Sequence, residues 1–155
     1  MQVSESKSNN QIDKMKAAFV HYVAIHYRLI KSANPLGLDF FIGDTIITSL
    51  TSEIGLKTLL RIENTNYGRI HDLESLFNKL EKSTQNKILA LFSMSEESFS
   101  KALHGNKDSF IKWRYHFEPT PDASYSFLDE FQKAIGYVLI GEEAYNEIKK
   151  YILNK

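Results

Sequence analysis

The stretch HDLESLFNKL, residues 71–80, decides the fold class of this 155-residue chain. Its Leu73, Leu76, Phe77 and Leu80 recur at intervals of three and four residues, which places them on one face of an α-helix. The same spacing continues on both sides of this stretch along most of the chain. The sequence therefore predicts an all-α fold, an antiparallel bundle of about six or seven helices.

Prolines and glycines predict where the first two helices are interrupted. Apolar residues at helical spacing begin at Met15, and the segment NPLGLDFFIGD follows that helix with Pro35, Gly37 and Gly43 as breakers. Asp44 comes directly after the last of these glycines, where a carboxylate can accept hydrogen bonds from unpaired helical N–H groups. The pattern predicts Asp44 as the N-cap of the second helix.

Short polar patterns predict the ends of the later helices. Ser95, followed by two glutamates, is expected to cap a helix that stops at Gly105. Asp72 stands in the same position before the stripe quoted above. Glu53 and Lys57 are four residues apart in the order that favours an ion pair along a helix, which would contribute a few tenths of a kcal/mol if the pair is exposed.

Composition excludes several functional classes. Nineteen basic side chains balance nineteen acidic ones, so no global field draws the chain to nucleic acid or an anionic membrane. The absence of cysteine excludes disulfides, thiolate zinc sites and a cysteine nucleophile. The five histidines show no metal-ligand spacing, and no glycine-rich phosphate loop occurs, so no metal and no cofactor is predicted. His26 lies in an apolar stripe and is expected to be a buried histidine with satisfied partners.

The organisation predicted from these patterns is simple. Residues 1–10 are polar and are expected to form a flexible N-terminus, and residues 11–155 a single helical domain. The N-terminus lacks the apolar core of a signal peptide, and the apolar runs are too short to span a bilayer. We expect a cytoplasmic protein with no membrane partner.

The segment FIKWRYHFEP, residues 110–119, carries the first candidate site. Phe110, Trp113 and Phe117 fall on one helix face, with Arg114 and Glu118 together on one border of that face and His116 on the other. One interpretation is a core helix with an Arg114–Glu118 ion pair. The other is a site in which Arg114 holds an anion and His116 moves a proton. Because Arg114 and His116 are about 200° apart on a regular helix, sharing one pocket requires fraying or a neighbouring subunit.

The stretch GRIHDLESLF, residues 68–77, carries the second candidate. Asp72 as a helix cap accounts for its position structurally. The functional alternative is that His71 and Arg69 line an anion site, since helix N-termini attract phosphate.

In chain order these segments resemble the HEPN superfamily of small helical domains from prokaryotic toxin–antitoxin, abortive-infection and other defence systems. The resemblance rests on SEIGLKTLL (52–60), HDLESLF (71–77) and FIKWRYHFE (110–118), and it covers about residues 45–135. Its most specific part is the E-x-x-x-K helix followed by the helix that starts with HDL.

The resemblance implies a homodimer whose cleft, in active family members, cuts RNA without metal. Those members use an Arg and a His four to six residues further on. In this chain Arg114 is followed in that window by Glu118, Pro119 and Thr120, and the nearest histidine is His116. The usual catalytic spacing is absent.

The resulting expectation is an RNA- or nucleotide-interacting module of a prokaryotic defence or stress system, without the usual HEPN ribonuclease chemistry. Its binding residues would be His71, Arg69, Tyr115 and Glu118, with Tyr115 available to stack on a base. One alternative is a metal-independent endoribonuclease toxin that uses Arg114 and the nearby His116. The other is a catalytically silent dimerisation domain, and an antitoxin or defence-system protein is a further expected partner.

Overall fold

The computed structural model describes residues 2–32, 38–111 and 125–155. These ranges contain helices and no strand, which confirms the all-α prediction. Seven helices have both ends within these ranges: α1 (Gln2–Ser32), α2 (Leu38–Ile62), α3 (Leu73–Asn78), α4 (Lys82–Leu89), α5 (Glu96–Asn106), α6 (Tyr125–Ile140) and α7 (Glu142–Leu153).

The long helices form the centre of the bundle. α1 and α2 pack against each other, α6 packs on α2, and α7 packs on both α1 and α6. The short helices α3, α4 and α5 cover the remaining side of α2 and α6. The predicted stripe of α3 is buried, since Leu73, Leu76, Phe77 and Leu80 are each at most 5% exposed. No helix in the described ranges has the length and apolar character needed to cross a bilayer.

Two glycines allow the central helices to approach closely. A Cβ atom on Gly55 would lie 2.5 Å from a side-chain methyl of Ile135, and one on Gly136 would lie 2.3 Å from the ring of Tyr145. Because Ile135 and Tyr145 are fully buried, neither has room to retreat. Glycine at these positions sets the spacing of α2, α6 and α7.

The predicted start of the second helix is wrong. α2 begins at Leu38, so Gly43 and Asp44 both lie within it. Glycine inside a helix costs only about 1 kcal/mol relative to alanine. The Asp44 carboxylate is fully buried and binds His26, so it is not at a helix end where N–H groups need a cap. Pro35 and Gly37 lie outside the described residues.

The other predicted helix ends are closer to the structure. Asp72 and Ser95 are N-caps whose side chains accept hydrogen bonds from the backbone N–H groups of Ser75 and Ser98. α5 continues one residue beyond Gly105. At the other end of the chain, α1 begins at Gln2, so the predicted division at residue 10 coincides with no helix boundary.

Candidate functional site

The first candidate site predicted from sequence lies outside the described residues. Arg114, Tyr115, His116 and Glu118 all fall within residues 112–124, so their roles and the Arg114–Glu118 pair stay predictions. The second candidate, Arg69 and His71, lies in the described loop between α2 and α3. That loop carries the candidate site within the described residues.

A buried carboxylate on α2 organises this region. Glu53 is 8% exposed at its side chain, and its Oε1 atom accepts from the Lys57 ammonium at 2.7 Å. The predicted Glu53–Lys57 pair is thus confirmed. The same oxygen lies 2.9 Å from Nδ1 of His71, whose side chain is 59% exposed. Glu53 therefore holds the mostly buried Lys57, whose side chain is 16% exposed, beside the exposed imidazole of His71.

This contact fixes the orientation of the imidazole. Because Glu53 is an acceptor, Nδ1 of His71 donates the hydrogen bond, and Nε2 is the ring nitrogen left to meet a ligand. A carboxylate that holds one imidazole nitrogen orients the ring for binding or for proton transfer at the other. The arrangement supplies a positioned imidazole next to a fixed ammonium.

The loop that brings His71 to α2 depends on residues suited to tight turns. Asn64 and Gly68 both adopt the left-handed region, with φ of 56°. Asparagine and glycine tolerate this conformation better than other residues. The Asn66 carboxamide accepts the Gly68 N–H at 2.9 Å, and Asp72 then caps α3. These turns direct the chain from the end of α2 back along its side.

A surface pocket of about 330 Å³ adjoins this cluster. It is lined by Arg61, Asn64, Thr65, Asn66, Tyr67 and Gly68. Tyr67 links the pocket to the cluster, because the Lys57 ammonium lies 5.6 Å from the centroid of its ring. Arg61, one turn after Lys57, donates to the Gln11 carboxamide at 2.8 Å. Arg69 follows Gly68 and is exposed.

We call this surface the α2–α3 corner. It comprises Glu53, Lys57, Arg61, Tyr67, Arg69 and His71. The corner contains three permanent cations, one of which, Lys57, is paired with the Glu53 carboxylate, together with an imidazole and an aromatic ring. Such a set can bind an anionic group by its cations and a planar group by its ring.

A second cluster of titratable groups lies inside the bundle. The fully buried His26 places Nδ1 2.8 Å from Oδ1 of Asp44, on α2, and Nε2 2.9 Å from Oδ1 of Asp129, on α6. Burial alone would lower the pKa of His26, but its contacts with Asp129 and Asp44 outweigh burial and raise the pKa to about 9. The raised pKa favours the imidazolium form at neutral pH. The expected burial of His26 is confirmed, but only Nδ1 has a hydrogen-bond partner, Asp44, whereas Nε2 meets Asp129 at ion-pair distance without a hydrogen bond.

Three tyrosines and a glutamine surround this ion cluster. Burial raises the pKa of Tyr27 to about 12, although its hydrogen bond with Tyr145 acts in the opposite direction. Burial also raises the pKa of Tyr145 and of Tyr125 well above the usual range, and a hydrogen bond to Asp44 adds to the shift of Tyr125. The fully buried Gln132 donates to the Tyr145 hydroxyl at 3.2 Å.

The histidine cluster, as we name His26, Asp44, Asp129 and these four neighbours, is better suited to hold helices together than to meet a substrate. Asp129 has 40% of its side chain exposed, whereas His26 and Asp44 have none. In the described ranges, no group of three or more acidic or histidine side chains could hold a metal ion. The α2–α3 corner is thus the more accessible site.

The sequence did not reveal how either cluster is assembled. The Glu53–Lys57 pair follows from local spacing, but His71 joins it across a loop, and no spacing in the sequence indicates Tyr67. The partners of His26 lie on two other helices, and no local motif records either contact. An indirect signal for the second cluster is His26 itself, a titratable side chain within an apolar stripe.

Comparison with known proteins gave no match: no family model, curated protein or solved structure matches this chain.

Proposed function

We propose that this chain is an HEPN-like module that binds RNA or a nucleotide, acting in a prokaryotic defence or stress system. The α2–α3 corner would supply part of its binding surface. Support comes from the sequence resemblance over residues 45–135 together with one observation on geometry. That observation is the Glu53 carboxylate, which holds Lys57 and His71 beside an open pocket.

The chemistry of the corner matches the parts of a nucleotide. A phosphate would accept hydrogen bonds from the guanidinium of Arg69 and, when the ring carries both protons, from Nε2–H of His71, because guanidinium and imidazolium groups donate charge-assisted hydrogen bonds to phosphate oxygens. A base would lie against Tyr67, at the wall of the pocket. The zero net charge of the chain leaves little nonspecific attraction, so binding would depend on these local groups.

The direct test measures nucleotide binding in EDTA. A fluorescent ATP analogue would be titrated into the protein, its Arg69→Ala and His71→Ala variants, and Lys101→Ala as a control for loss of an exposed cation on α5. We expect the two corner variants to bind about tenfold more weakly, as for a lost hydrogen bond to a charged group. We expect Lys101→Ala to bind like the parent. Absence of nucleotide binding, or equal weakening in all three variants, would refute the proposed role of the corner.

Two further measurements distinguish the alternatives. Incubation with labelled RNA in EDTA tests the metal-independent ribonuclease, which would use Arg114 and His116, and intact RNA at high protein concentration would exclude it. Light scattering tests the homodimer implied by the resemblance. A dimer that binds no nucleotide and cuts no RNA would instead support the silent dimerisation domain.

A further inference from the structure

The C-terminal ends of α1 and α7 lie side by side. Tyr27 packs near Tyr145, and Lys149 places its ammonium 5.6 Å from the centroid of the Tyr27 ring. One turn further along both helices, the Lys31 ammonium donates to the carbonyl oxygen of Ile152 at 3.3 Å. The contacts advance in the same direction on both helices, so α1 and α7 run parallel and end together.

This end of the molecule is strongly cationic. Five exposed cations and one exposed tyrosine form what we call the α1/α7 patch: Arg28, Lys31, Lys149, Lys150, Lys155 and Tyr151. Residues 27–32 and 148–155 contain no Asp or Glu, and the closest acidic residue in sequence is Glu147. Since the whole chain has zero net charge and these two segments carry +5, the remainder carries −5. These two segments are therefore cationic, and the negative charge that balances them lies elsewhere in the sequence.

Helix ends account for part of this charge. Carbonyl groups at a helix C-terminus attract cations, and Lys31 satisfies one of those of α7. That effect falls off within the last turn of a helix. Arg28 and Lys149 lie further back than the last turn of their helices, so the helix ends do not explain them. The positive charge that the helix ends do not explain indicates a surface that binds an external anion.

Tyr151 gives the patch an aromatic component. Its side chain is 58% exposed, and the Lys155 ammonium lies 3.9 Å from the centroid of its ring. A hydrogen bond from Lys155 lowers the pKa of the Tyr151 hydroxyl, and the charges of Lys155 and Arg28 add to this shift. An exposed ring among cations is the arrangement on which proteins stack the bases of single-stranded nucleic acids.

We propose that the α1/α7 patch binds the phosphate backbone of single-stranded RNA, with one base stacked on Tyr151. The choice of RNA rests on the proposed function, but the surface is separate from the α2–α3 corner. An anionic membrane fits less well, because interfacial helices insert an apolar face into lipid. The apolar side of α7, including Tyr145 and Ile152, is already buried in the bundle.

The experiment measures binding of a fluorescein-labelled 12-nucleotide oligouridylate by anisotropy, over a series of salt concentrations. The test variant is Arg28→Gln/Lys149→Gln/Lys150→Gln. Its control, Lys79→Gln/Lys87→Gln/Lys101→Gln, removes the same charge from exposed positions on the side of α3, α4 and α5. We expect the test variant to bind at least tenfold more weakly and its log K against log salt slope to fall by about 2, as for three lost phosphate contacts.

Substitutions of Tyr151 test the stacked base. Tyr151→Ala is expected to weaken binding at least fivefold, whereas Tyr151→Phe, which keeps the ring, is expected to bind like the parent. Equal losses in the two charge variants would overturn the patch as the binding surface. Equal losses in Ala and Phe, or no loss in Ala, would overturn stacking on this ring.

The test of the α1/α7 patch can fail or succeed independently of the test of the proposed function. The α2–α3 corner is read out by the mononucleotide analogue, and the patch by the 12-nucleotide RNA. Loss of RNA binding in the Arg69 or His71 variants, with none in the patch variant, would refute the patch alone. Patch-dependent binding to phosphatidylserine vesicles without binding to RNA would assign the surface to lipid and overturn the proposal.

Discussion

The interior of the bundle contains two regions of opposite chemistry that share one helix. On one side α6 contributes Phe127 and Phe131 to the phenylalanine cluster, which also contains Phe77, Phe92 and Phe99. On the other side α6 contributes Asp129, Gln132 and Tyr125 to the histidine cluster. The phenylalanine rings lie 5.0 to 6.1 Å apart between centroids, in tilted, stacked and edge-on pairs.

The two regions stabilise the fold by different physical means. Aromatic burial is nondirectional, so a ring that shifts slightly keeps most of its favourable contacts. A buried imidazolium must keep both of its carboxylates, because an unpaired charge in the interior is costly. The histidine cluster therefore specifies how α1, α2 and α6 align, whereas the phenylalanine cluster mainly supplies apolar burial.

The largest expected effect comes from breaking the histidine cluster on one side only. His26→Leu leaves the buried Asp44 carboxylate without its ionic partner and should lower the free energy of unfolding by about 3–5 kcal/mol. In the double variant His26→Leu/Asp44→Leu both buried groups are apolar, and we expect at least about 1 kcal/mol to be recovered. Urea denaturation measures the free energy of unfolding of the single and the double variant. A double variant as unstable as the sum of the two single variants would contradict the ionic account.

The two regions should also differ in their response to pH. His26 keeps its proton up to about pH 9 in the folded state but releases it near 6.5 when unfolded. Its contribution, about 3 kcal/mol, is therefore complete below pH 6.5 and is lost as pH rises towards and through 9. Denaturation between pH 6.5 and 9.5 should show this decline in the parent and in Phe131→Leu. It should be absent from His26→Leu, and a decline of equal size there would assign the effect to other groups.

A smaller effect is expected where the histidine cluster meets close helix packing. Gly136→Ala would place its Cβ 2.3 Å from the ring of Tyr145, which is fully buried and bonded to Gln132. The crowding should cost about 1–3 kcal/mol. Gly43→Ala is the matched control, since nothing lies within 4 Å of its Cβ position and the helix should gain about 0.5–1 kcal/mol. Thermal melts that ranked the two variants in the reverse order would contradict the packing described here.

The smallest effect concerns the helix that carries Phe99 into the phenylalanine cluster. Ser95 caps α5 at the exposed surface, and Ser95→Ala should cost about 1 kcal/mol, whereas Ser95→Asp should retain the cap. Because no buried charge is involved, we expect the cost to be the same at pH 6.5 and at pH 9. A cost that varied over this range would mean that the two regions are coupled.

The sequence predicts one of these regions better than the other. The stripe of Leu73, Leu76 and Phe77 follows from helical periodicity, which records only which face is apolar. His26 could be placed in the core for the same reason. The partners of His26 could not be predicted, because Asp44 and Asp129 lie on other helices. The local pattern instead assigned Asp44 to a helix end, since a carboxylate after a glycine is typical of a cap.

In the α2–α3 corner, too, the contacts within one helix could be predicted from the sequence, whereas the contact across the loop could not. Glu53 and Lys57 pair within one helix turn, so their spacing alone was sufficient. His71 reaches Glu53 only because Asn64 and Gly68 turn the chain, and periodicity carries no information about the path of a loop. Arg114 and His116 lie outside the described residues, so that part of the candidate site remains as predicted.

The packing of α1 against α7 has a consequence for how the chain matures on the ribosome. α1 is synthesised before α6 and α7. Two of its side chains nevertheless depend on those helices, because Tyr27 is covered by Tyr145 of α7 and His26 is paired with Asp129 of α6. Until α6 and α7 are synthesised, the face of α1 that packs against them stays uncovered and can contact chaperones or other segments of the nascent chain. The packing of α1 is therefore complete only after both α6 and α7 have been synthesised.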